Sequence, residues 1–256
     1  MEYYALPIVG FVIGLLTIFL GGGGGAIYVG ILTVIFHIPP AIAASTSLAT
    51  IVPTTAAGSF SHWKAGNVNL RFGLFMLSGG VVGSILGSFC SNLLPQNLYN
   101  KLTGIVILLL AVQMLISILK KSKKSEDTSL ERKTGKAESV EAVGFGLLGG
   151  IMSGLIGLSG GGPIVVGLLI LGCRPLETVG TSVFVLLGIS ITGFSAHLGL
   201  GSVDWKLVGL LASGTISGAI VGPLFLRRMN KEKVEKILQP VLLIMTVVMG
   251  GILIVR

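Results

Sequence analysis

Few side chains in this sequence can do chemistry, and those few recur in pairs. Two glycine-rich stretches, "LGGGGGA" at 20–26 and "GLSGGGP" at 157–163, each lead into a short apolar run. A helix starting after such a stretch presents bare backbone N–H groups and the positive end of its dipole, which together favour an anion. Thr46-Ser47 and Thr181-Ser182 supply hydroxyl donors without charge. His62 and His197 could carry a proton near neutral pH, or pair with an anion. Cys90 and Cys173 form no metal-type spacing and read as small packing residues, so neither a metal nor a cofactor is expected. What is missing also counts. No Asp, Glu, Lys or Arg falls in the middle of an apolar run. A cation carrier would be expected to offer a carboxylate there, so an anion held by N–H groups and hydroxyls fits better.

The elements that position these residues must lie in a bilayer. Of 256 residues, 52% are hydrophobic and 11% charged, with a mean hydropathy of +0.94. Soluble domains carry about 25% charged residues. Several apolar runs approach the roughly 20 residues that cross a membrane, so the chain reads as an all-α polytopic membrane protein. Much of the net charge of +8 gathers at 119–136 and 226–236. In so apolar a chain these are cytoplasmic loops rather than a nucleic-acid surface. The start, "MEYYALP", has an acid where a secretory signal would carry a base, so no cleaved signal is expected.

The chain is also two copies of one unit. A shift of 135 residues lays Pro40 on Pro175, Thr46-Ser47 on Thr181-Ser182, Gly58 on Gly193 and His62 on His197. It continues through Gly66 and Gly201, Ser78-Gly79 and Ser213-Gly214, and Gly83 and Gly218. With a gap of about three, Gly21 to Gly25 fall on Ser159 to Pro163. Internal repeats of this kind mark secondary transporters. The organisation expected is a first transmembrane repeat at 1–119, a cytoplasmic linker at 120–139 and a second repeat at 140–256.

Each unit reads as an apolar segment (5–20 or 140–158), a glycine tip, a short segment (26–36 or 163–172) and three long helices. These are 41–62, 70–94 and 99–119, then 176–198, 204–227 and 233–255. Eleven residues make about 16 Å of helix, against a hydrocarbon core of about 30 Å. The short segments therefore either continue a glycine-broken helix or double back as a hairpin. With the linker inside, the hairpin reading puts Lys64, Arg71, Arg174 and the 227–236 cluster inside as well, and the 199–202 loop and both termini outside. A single crossing would put that cluster outside, against the positive-inside rule. The hairpin gives each unit an odd number of crossings and makes the copies an inverted repeat. A pair of short but full crossings gives the same orientation.

Tips at membrane depth are tolerated only where they line a cavity or are buried in protein. The candidate substrate contacts are therefore Gly22, Gly23, Gly24, Gly25, Thr46 and Ser47 from the first unit. The second offers Ser159, Gly160, Gly161, Gly162, Pro163, Thr181 and Ser182. His62 and His197 are the candidates for proton or anion coupling. Against this, small residues also allow close helix packing, which accounts for Gly79, Gly83 and Gly87 but poorly for five adjacent glycines. Hydroxyls in membrane helices often bond their own backbone, and a histidine at a helix end can be merely interfacial. The run Gly157-Leu158-Ser159-Gly160 with a later His197 also resembles the dyad of rhomboid intramembrane proteases, a remote alternative. Glycine stands in the first unit where Ser159 stands in the second, and a dyad would not require a duplicated tip.

Taken together, "PPAIAASTSLA" at 39–49, "HWKAGNVNLR" at 62–71, "GLSGGGPIVVGLLILG" at 157–172, "RPLETVGTS" at 174–182 and "HLGLGSVDWK" at 197–206 resemble the sulfite exporter TauE/SafE (TSUP) family. The resemblance covers nearly all of the chain except the linker. It implies transport of a small sulfur-containing anion, such as sulfite, thiosulfate or a sulfonate, across the cell membrane. The expected mechanism is proton-coupled alternating access around a site near the bilayer midplane, with a passive anion channel as the alternative. Asn69 takes the place of Asp204 in the first unit, so the resemblance gives that acid no role common to both copies.

Overall fold

The computed structural model describes residues 5–20, 24–123, 136–199 and 203–228, with 240, 243–244, 247–248 and 250–255 near the end. Gly22 and Gly23, most of the linker, the tip of the 199–202 loop and the first part of the expected helix 233–255 lie outside the described residues. The described elements are helices: α1 (Leu6–Leu20), α2 (Gly25–Val34), α3 (Pro40–Lys64), α4 (Leu70–Leu93), α5 (Gln96–Lys123), α6 (Lys136–Ile156), α7 (Gly161–Ile170), α8 (Pro175–Gly199) and α9 (Trp205–Arg228).

Local chemistry sets the starts. Pro40 opens α3 at a position where a missing N–H costs nothing. Asn69 caps α4 by accepting from the Phe72 N–H, and Asp204 caps α9 by accepting from Lys206 and Leu207. Helices α5 and α6 run further into the charged stretch than the sequence suggests, because its Lys, Glu and Ala residues are good helix formers. Among the described residues, three helices contain stretches long and apolar enough to cross a membrane: Leu70–Ser91, Ala137–Ile156 and Pro175–Leu198.

Packing is organised by glycine. Gly79, Gly83 and Gly87 of α4 press on the α6 backbone, and Gly146, Gly150 and Gly154 of α6 press back on α4. The contacts advance in step (Gly83 on Leu147, Gly87 on Ile151), so α4 and α6 run parallel. Helices α1 and α9 repeat the arrangement, with Gly10 and Gly14 against Leu211 and Thr215, and Gly214 and Gly218 against Pro7 and Phe11. Between these pairs, α3 and α8 run antiparallel, with Gly58 against Val183 and Gly193 against Leu48.

The buried apolar residues form two clusters. One joins α1, α2, α3, α5 and α9 through residues such as Ile13, Leu32, Ile51, Ile107 and Leu211, and takes in Ile156 at the end of α6, Leu158 just past it, and Leu253. The other joins α4, α6, α7 and α8 through Met76, Ala142, Leu168 and Leu186. Thus α4 packs with the helices of the second half of the chain, and α9 with those of the first.

Candidate functional site

The glycine tips take the same backbone form. Gly24 (φ 67, ψ 0) precedes α2, and Gly160 (φ 68, ψ 12) precedes α7, both left-handed. An L side chain is strained there and glycine is not. Matching these residues shifts the tips by 136 positions. The gap between the copies is therefore one residue rather than three: Ser159 falls on Gly23, and Pro163 falls on Ile27. Ser159 itself is left-handed at φ 62 without being glycine. Its hydroxyl donates to the carbonyl of Leu158, so the chain bends sharply at a fully buried residue.

Helix α7 doubles back along α6. Gly149 lies against Gly160 and Ile164, and Gly167 against Phe145. The neighbouring Gly150 touches Gly80 and Ser84, which in turn touch Ile189 on α8. The start of α7 is thereby level with Ile189 and Ser190, near the middle of α8 rather than at its end. The two tips also meet. A Cβ on Gly25 would stand 2.5 Å from the Leu158 carbonyl carbon and 2.7 Å from the Ser159 nitrogen. Gly157 packs on Ala44 of α3, and Ser47 donates its hydroxyl to the Gly157 carbonyl at 2.9 Å.

Thr46, Ser47, Thr181 and Ser182 are fully buried, but the structure does not gather them at one point. On the register set by Leu48–Gly193 and Gly58–Val183, Thr46 and Thr181 lie about 21 Å apart along the helix pair. Thr181 accepts the Asn69 N–H at 2.8 Å, and Ser182 donates to the Val179 carbonyl. Thr46 Oγ1 is buried with no hydrogen-bond partner. Gly162 and Pro163 are half-buried on the first turn of α7.

The histidines also stand far apart, His62 near the end of α3 and His197 near the end of the antiparallel α8. His197 is buried and donates from Nε2 to the Gly154 carbonyl at 2.8 Å, tying α8 to α6. His62 is half-buried. The two stand at opposite ends of the α3–α8 pair.

Several polar groups escaped the sequence reading. Glu138 falls in the expected linker, yet it sits on the buried face of α6 at 2% exposure, with an Arg71 guanidinium nitrogen 3.8 Å away. Asn69 donates from Nδ2 to Glu177 at 2.7 Å. Ser153 and Ser190 are fully buried, and their hydroxyls have no partner. Single serines in apolar runs give no signal by pattern. The matched position of Thr55 under Ser190 was the available clue.

Long apolar helices joined by left-handed glycine tips define the class as a helical membrane protein. The comparisons give the family. The model of the family described as sulfite exporter TauE/SafE matches residues 6–250, and the chain belongs to that family. Relatives include "Probable membrane transporter protein YdhB" of Bacillus subtilis, 32% identical over 86% of this chain and 89% of the relative. "Probable membrane transporter protein YtnM" of the same organism is 32% identical over 81% and 71%. "Probable membrane transporter protein MJ0441" of Methanocaldococcus jannaschii is 28% identical over 75% and 71%. No solved structure matches. The protein is a membrane transporter and not an enzyme.

Proposed function

We propose that the protein is a secondary transporter that moves a small sulfur-containing anion across the cell membrane by proton-coupled alternating access. The observation that carries this is the meeting of the two tips: the start of α2 lies on the Leu158–Ser159 backbone, and the start of α7 is level with the middle of α8. Helix starts at half-depth supply N–H donors and positive dipole ends, and no buried side-chain charge of the tips opposes an anion. Gly22 to Gly25, and Ser159 to Pro163, are the nearest candidates for contact. Ser47 braces the second tip through the Gly157 carbonyl, and the Thr46 hydroxyl beside it is buried and unpaired. Thr181 and Ser182 lie about 21 Å further along the α3–α8 pair, and His62 and His197 would act at opposite ends.

The repeats are read as inverted. Two contacts support this: under the 135-residue shift, Gly58 on Val183 becomes Gly193 on Leu48, and both occur. Such an exchange needs an antiparallel pairing of matched helices. The fold-back of α7 on α6, at about 15 Å of helix length, supports a hairpin that enters the membrane and returns. Both termini and the 199–202 loop would then face outward, and the linker inward.

The test is flux in proteoliposomes. Sulfite, thiosulfate or an organosulfonate should accumulate above equilibrium when a proton gradient is imposed, and sulfate serves as a comparison. Flux that only equilibrates would make the protein a passive anion channel. Flux of none of the sulfur anions would remove the substrate class.

A further inference from the structure

Near the middle of the crossing between α3 and α8 lies a pair of hydroxyls that the tips do not use. Ser190 and Thr55 occupy matched positions in the two halves, and both are fully buried. Thr55 is seven residues after Leu48, which touches α8, and Ser190 is seven after Val183, which touches α3. Seven residues are two helical turns, so each faces the other helix. On the same register the two are offset by only about 6 Å along the pair, where Thr46 and Thr181 are offset by more than three times as much. The Thr55 hydroxyl donates to the Ile51 carbonyl at 2.8 Å. The Ser190 hydroxyl has no partner.

A buried hydroxyl left unpaired costs about 1–3 kcal/mol, and a serine in a helix can usually avoid this by bonding the preceding turn. Ser190 does not. Its level is also that of the α7 start, through Gly149, Gly150, Ser84 and Ile189. Ser153 repeats the observation from another side. It is four residues after Gly149, on the α6 face that meets Gly160, and its buried hydroxyl is also unpaired. Two independent unpaired donors therefore stand at the depth of a helix start.

We propose that Ser190, with Thr55 across from it, lines the permeation path at half-depth and donates its O–H to an oxygen of the transported anion. Ser153 lines the same path from the side of α6. The proposal rests on the transport reading above and names the hydroxyls that would recognise an oxyanion in the absence of a charged side chain.

The chain has two cysteines, Cys90 and Cys173, so a background with Cys90→Ser and Cys173→Ala allows single thiols to be read. In that background Ser190→Cys should react with 2-sulfonatoethyl methanethiosulfonate, a small anionic thiol reagent. Val185→Cys, in the apolar cluster of α8, should stay inert. An organosulfonate, which unlike sulfite or thiosulfate does not consume the reagent, should slow the Ser190→Cys reaction at least fivefold. A Ser190→Cys thiol as inert as that of Val185→Cys overturns the inference whatever the substrate. Reaction that no organosulfonate slows leaves Ser190 on the path and removes the organosulfonates as substrates bound there. In uptake, Ser190→Ala should raise the half-saturation concentration about tenfold and Ser190→Thr should restore it to within about threefold. An unchanged Ser190→Ala would also overturn the inference.

Discussion

Ser47 and Thr46 are neighbours in sequence and differ in what their hydroxyls do. Ser47 reaches across to the Gly157 carbonyl and holds the second tip against α3, while the hydroxyl of Thr46, one residue earlier, is buried without a partner. Ser47→Ala would leave a buried carbonyl unpaired, a loss of about 1 kcal/mol or somewhat more. The expected outcome is a lower melting temperature of the purified protein and reduced uptake, with Ser47→Thr closer to the parent; equal melting of Ser47→Ala and parent would contradict the brace. The hydroxyl pairs were legible in sequence because they repeat at matched positions. Their partners were not, since Gly157 lies 110 residues from Ser47 and only packing brings it near. Glu138 was misassigned for a related reason. Its neighbours in sequence are charged, but its neighbours in space are α4 and Arg71.

At the scale of elements, hydropathy and length fixed most boundaries to within a few residues, because apolar runs in this chain end at Pro, Asn, Asp or Gly. Pairing could not be read that way. Every long helix here carries small residues on some face, and the spacing of Gly79, Gly83 and Gly87 does not say which helix will meet them. The answer, α6, depends on a second ladder of Gly146, Gly150 and Gly154 at the same depth. Gly150→Val tests the pairing. Its branched side chain would be driven into the Gly80 carbonyl, so the helices must part, at a cost of about 1–3 kcal/mol or more. Thermal unfolding in detergent should fall by several degrees. Gly144→Val, where a Cβ has open space, should leave it unchanged or slightly raised, because valine is a better helix former than glycine.

At the scale of the whole molecule, the placement of charge along the chain implies an orientation that packing makes testable. Lys64 and Asp204 are both exposed, and they close opposite ends of the α3–α8 pair. In the cysteine-free background, Lys64→Cys should be protected from an impermeant thiol reagent added outside intact cells, and Asp204→Cys should react. Reaction of both from the same side would remove the inverted orientation.

The exchange of α4 and α9 between the two apolar clusters has a consequence for how the protein is made. Helix α4 leaves the ribosome complete while α6, the partner for its glycine face, does not yet exist. The wait is roughly sixty residues of synthesis, on the order of 3–12 s at common elongation rates, and lipid or insertion machinery must cover the bare face meanwhile. Helix α1 waits longer still, for α9. The cluster whose first helix is made earliest is therefore the last to close, and a first half synthesised alone would carry three faces, on α1, α3 and α4, with nothing to seat against.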